Sequence, residues 1–164
     1  MADDNSLLQP SLRAGQPKDA PYSITAGIWI SFFGGIWGAL AYTGLNSMRL
    51  RRLSRDLPYL AIAAGMYIAL LLALAMTEPG RIAQAELADL FGEQRGLRFL
   101  LQFVGVLFVG FGYLLHKSDH RAAGLTGRDR PSAWRVGLII VVISTVIHLV
   151  TLIPLFAPLS GAAE

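Results

Sequence analysis

YSITAGIWISFFGGIWGALAYTGL, residues 22–45, is an unbroken apolar run without a single Asp, Glu, Lys or Arg. A helix needs about 20 such residues to cross a hydrocarbon core roughly 30 Å thick. Three more runs of similar length follow, at residues 58–76, 97–116 and 134–153. The chain therefore reads as an all-α membrane protein: a four-transmembrane-helix antiparallel bundle over residues 22–158, with a flexible polar tail at 1–21 and a short tail at 159–164.

Composition agrees. Of 164 residues, 54% are hydrophobic, and mean hydropathy is +0.50. The loops left between the runs are too short to hold a soluble catalytic domain. The chain has no cysteine. Disulfides, iron–sulfur ligation, zinc–thiolate sites and thiol catalysis are excluded with it. The net charge of +3 does not point to nucleic acid. The arginines flank apolar segments, where they orient the protein and meet anionic headgroups. Residues 1–21 are polar and the first run is too long for a signal-peptide core, so no cleavable signal is expected.

The first run carries a pattern within its apolarity. Ser23, Gly27, Ser31, Gly35 and Ala39 recur every four residues, and Gly34 and Gly38 form a second small pair beside them. Small residues let helices approach closely in a membrane, where no hydrophobic drive brings them together. The stripe is expected to make a tight helix contact, either inside the bundle or with another copy or subunit.

Within it, Gly34, Gly35, Gly38 and Ala39 of GGIWGALAY resemble the GGxxGAxxR motif of the bacterial fluoride channel family, whose members are also small and have four spans. This stretch has no arginine. That family's Asn-containing second helix and Thr/Ser/Phe-rich break in the third have no counterpart in 58–76 or 97–116. The likeness is confined to one helix, and we carry no fluoride-channel function from it. The small multidrug-resistance family, also of four short spans, depends on a first-helix glutamate that this run lacks.

Between the second and third runs, residues 81–95 place Ile82, Leu87, Leu90 and Phe91 on part of one helical face. A short helix lying on the membrane surface is expected there. Pro58 suits the first turn of the second helix. Pro154 and Pro158 are expected to end or kink the fourth.

Charge sets the expected orientation. Nine basic residues (Arg49, Arg51, Arg52, Arg55, Lys117, Arg121, Arg128, Arg130 and Arg135) belong to the first and third loops. Five (Arg13, Lys18, Arg81, Arg95 and Arg98) belong to the other side. The positive-inside rule puts loops 46–57 and 117–134 in the cytoplasm of a bacterial inner membrane, with both termini outside. Arg49, Arg51, Arg52 and Arg55 are read as topology determinants that also contact anionic lipid.

Polar groups inside the spans are few. Gln102 and His148 are the notable ones. His148 is a candidate haem ligand, quinone partner or proton relay, or else a neutral histidine bonded to a neighbouring helix. His116 and His120 lie about 20 Å shallower, so they cannot share a haem with it, and KSDHR reads as a solvated loop face. No cofactor, metal or catalytic set is expected. The sequence favours a non-catalytic accessory or assembly subunit of a larger membrane complex, bound to lipid and to other subunits or to itself. The alternative is a small oligomeric transporter or channel for an uncharged or weakly selected solute.

Overall fold

The computed structural model describes residues 19–92, 95–125 and 131–160. Of the expected tails at 1–21 and 159–164, residues 1–18 and 161–164 lie outside them. Every element among the described residues is helical: α1 (Ile24–Arg49), α2 (Leu53–Met76), α3 (Glu78–Phe91), α4 (Arg95–Leu115), α5 (Lys117–Leu125) and α6 (Trp134–Ser160). Four are long and apolar enough to cross a membrane: Ile24–Arg49, Leu53–Met76, Arg95–Leu115 and Trp134–Leu152.

The first of these is not one straight helix. At Gly35 the backbone takes φ 59° and ψ −153°, a conformation open essentially to glycine alone. The chain reverses there. Residues 24–34 (arm α1a) and 36–49 (arm α1b) run antiparallel and touch along their length. Tyr22 N–H donates to Asn46 Oδ1 at 2.8 Å. Tyr42 O–H donates to the Ser23 carbonyl at 2.5 Å. Nearer the turn, a Cβ on Gly38 would lie 2.9 Å from the Ile30 carbonyl oxygen. The arms are about 16 and 21 Å long at 1.5 Å per residue, each short of a roughly 30 Å core. The expected straight helix at 22–45 is thus bent back on itself at Gly35. The first apolar run is a helical hairpin, and both its ends lie at the same end of the molecule.

The hairpin is the hub of the fold. It packs on α4, α6 and α2. A Cβ on Gly105 would stand 2.9 Å from the Gly35 carbonyl carbon, so α4 crosses the apex backbone to backbone. Ile36 and Ala39 of α1b join Tyr67, Leu71, Leu101 and Val109 in one buried cluster. Tyr22, Ile30, Tyr42 and Ile140 form a second. The irregular backbone at Gly35 is thus enclosed by protein, which is the condition for non-helical chain at membrane depth.

Other boundaries move for local reasons. α2 begins at Leu53, with Pro58 inside it rather than in its first turn. Pro58 forfeits only the bond to the Ser54 carbonyl, close to the helix end. α3 is capped by the Thr77 hydroxyl, which accepts from Gly80 N–H at 3.1 Å. It sits across the far ends of α2 and α4, where Gln84 Nε2 donates to the Leu74 carbonyl at 2.6 Å. The expected loop after His116 is helical from Lys117 to Leu125. α6 continues through Pro154 and Pro158 to Ser160 instead of stopping near 153.

Candidate functional site

The small-residue stripe is buried within this chain. Ser23 caps α1a by accepting from Ala26 N–H at 3.2 Å. Gly27 lies against the Tyr42 ring and Val109, and Gly34 against Ser144. Ser31 is fully buried and donates to the Ile28 carbonyl at 2.9 Å. Ala39 is buried as well. These residues do not form one face of one helix, as four-residue spacing suggests. They are divided between two arms that fold onto each other.

The four arginines also divide. Arg49 Nε donates to the Ala20 carbonyl at 2.8 Å, and its guanidinium lies 4.7 Å from the Tyr22 ring centroid. Arg52 pairs with Asp119. Arg51 and Arg55 remain exposed.

The apex of the hairpin faces His148. A Cβ on Gly35 would meet the ring at 2.5 Å from Cε1. His148 Nδ1 lies 3.1 Å from the Ser144 carbonyl, and Nε2 lies 2.9 Å from the Tyr67 hydroxyl. A carbonyl only accepts, so Nδ1 carries the proton and donates; in the neutral imidazole Nε2 then accepts from Tyr67 O–H. Both ring nitrogens are engaged, joining α6 to α2 beneath the hairpin. Trp37 meets Tyr67 edge-on at 5.7 Å. Its Nε1 is enclosed and has no hydrogen-bond partner among the described residues.

Two clefts approach this pair. One, of about 390 Å³, is lined by Arg98, Gln102, Thr145, His148 and Gly35; Gln102 and His148 therefore share a cavity. The other, of about 550 Å³, runs between α2 and α4 from Asp56 and His116 to Tyr67 and Ile36.

His116 and His120 are not solvated, as their charged neighbours suggest. They are 2% and 6% exposed. His116 Nε2–H donates to Asp56 Oδ2 at 2.8 Å, and His120 packs on the Tyr113 ring at 5.1 Å. No cluster of three metal-ligating side chains occurs among the described residues.

Sequence reasoning passed over Tyr67, Asp56 and Trp37. Tyr67 had one signal: it is the single hydroxyl-bearing side chain between Leu60 and Met76 of an Ala/Leu-rich helix. Asp56 had another, as the lone acid in an arginine-rich loop. No family model matches this chain, and neither a curated protein nor a solved structure was found that matches it.

Proposed function

We propose that this chain is a multi-pass protein of the bacterial inner membrane that serves as a non-catalytic accessory or assembly subunit of a larger membrane complex. One observation carries the reading. On the outer side of arm α1a, Trp29 and Phe33 stack with centroids 6.0 Å apart and are 59% and 54% exposed. With Trp134 they border a groove of about 590 Å³ floored by Ala26, Ala133 and Gly137. Small residues below and aromatic walls beside suit an apolar helix of another subunit, because close van der Waals approach drives association in lipid.

In this reading the end bearing Arg49, Arg51, Arg52, Arg55, Lys117 and Arg121 faces the cytoplasm. The hairpin returns to the side it left, so residue 19 is cytoplasmic too, while Ser160 at the end of α6 lies on the outer side with α3. α3 lies along the outer surface with its exposed Ile82, Leu90 and Phe91 toward hydrocarbon. The test is tagged purification in mild detergent followed by native mass spectrometry. A stoichiometric foreign subunit, lost with Trp29→Ala plus Trp134→Ala, supports the reading; a monomer throughout overturns it.

A second reading, a conduit for a small uncharged solute, is favoured by the Tyr67–His148 bond between two clefts and by the unpartnered Trp37 indole beside it. Broken helices at mid-depth commonly mark solute sites in transporters. Solute-dependent swelling of proteoliposomes tests it. A flux changed by Tyr67→Phe supports it, and no flux above empty vesicles removes it.

A further inference from the structure

We propose that the cleft between α2 and α4 is a binding site for an anionic phospholipid, with one acyl chain lying in the cleft and the phosphate at the end marked by Asp56 and His116. The cleft walls are almost wholly apolar, Leu60, Ala63, Met66, Val104, Phe108 and Phe111 among them. Hairpin residue Ile36 closes its inner end, so the opening faces the bilayer between two helices rather than another part of the chain.

Its length fits one leaflet. Asp56 and Tyr67 mark the two ends on α2, eleven residues apart. That separation is about 16 Å along a helix, close to half of the roughly 30 Å hydrocarbon core. An acyl chain entering at the headgroup level would end near the midplane beside Tyr67.

Its mouth carries the complementary charge. The Asp56 carboxylate is engaged by His116 Nε2–H at 2.8 Å, buried between the helices. The residues next to that pair, Arg55 on α2 and Lys117 at the start of α5, are exposed. Arg55 and Lys117 directly adjoin in sequence the two polar residues that line this end of the cleft, Asp56 and His116, and juxtamembrane Lys and Arg attract anionic lipid. A quinone with a prenyl tail would fill the same groove but would leave those two cations without a counter-charge. The site does not depend on the subunit reading above. A chain resident in the cleft would close one half of the conduit reading.

The full-length protein is purified from detergent into nanodiscs of phosphatidylglycerol and phosphatidylcholine mixed in equal parts. Lipids retained on release are then counted by native mass spectrometry. One tightly held phosphatidylglycerol is expected, preferred by about tenfold. Arg55→Gln with Lys117→Gln, both exposed positions, should bring that preference close to one. Ala63→Trp should expel the lipid whatever its headgroup. Inorganic phosphate should not compete, because the acyl chain supplies part of the binding. Equal retention of both lipids, an unchanged preference in the double variant, or displacement by phosphate alone would overturn the site. If the tryptophan variant fails to fold, the double variant still decides.

Discussion

The backbone N–H of Tyr22 donates to Asn46 Oδ1 at 2.8 Å across 24 residues, a separation that a continuous helix would extend to about 36 Å. That one bond is incompatible with a single straight crossing. Arg49 adds to it by reaching back to the Ala20 carbonyl. Residues on either side of the hairpin thus lie at the same end of the molecule, joined by a main-chain donor, a side-chain amide and a guanidinium.

Sidedness is directly measurable because the chain has no native cysteine. Single cysteines at exposed Asp19, Arg51 and Arg81 should react with an impermeant maleimide in two classes. Positions 19 and 51 should label from one face of the membrane and 81 from the other. Labelling of 19 together with 81, and not with 51, would restore a straight first span.

Gly35→Ala should lower the unfolding temperature in detergent. The positive φ alone costs a non-glycine residue about 1–3 kcal/mol, and the methyl would also press on His148 at 2.5 Å from Cε1. Gly65 is the control: a Cβ there meets nothing within 4 Å, so Gly65→Ala should be neutral or stabilising by up to about 1 kcal/mol. Equal effects at the two positions would dismiss the reversal.

Tyr67→Phe leaves His148 Nε2 without its donor. Combined with His148→Phe in a double-mutant cycle, the pair should show a coupling of about 0.6–1.7 kcal/mol, the range found for hydrogen bonds between membrane helices. Thermal or denaturant unfolding in micelles measures it. Additive single effects would mean that the bond is not formed.

Arg49→Gln should destabilise by about 1–2 kcal/mol, through loss of the bond to Ala20 and the stacking on Tyr22. Arg51→Gln, two residues away and exposed, should stay within about 0.5 kcal/mol. The contrast would separate an arginine that closes the hairpin from one that faces the membrane surface. Calorimetry on the two variants is sufficient.

Much of this fold was readable in the residues. Apolar run length pointed to the helical class, and the short helix expected at 81–95 lies at Glu78–Phe91. Small residues marked α1 as the tightest contact. The reversal was not readable by length or hydropathy, because a hairpin inside a 24-residue apolar run scores like a span. Its trace is the Gly34–Gly35 pair at the middle, together with Tyr22 and Asn46 at either edge. The His116–Asp56 pair was hidden for a different reason. KSDHR looks wet beside its own neighbours, and the carboxylate that takes His116 out of water lies 60 residues earlier. Tyr67 and His148 are 81 residues apart, and no local pattern links them.

The hairpin also sets an order of biogenesis. It leaves the ribosome well before Gly105, Ser144 and His148, which enclose its apex. Bare non-helical backbone is not tolerated in hydrocarbon, so the reversal at Gly35 has nothing to settle against until α6 is in place. A segment made before its surroundings therefore reaches its native shape only after them, and truncation anywhere before residue 148 leaves it without the side chains that hold it folded.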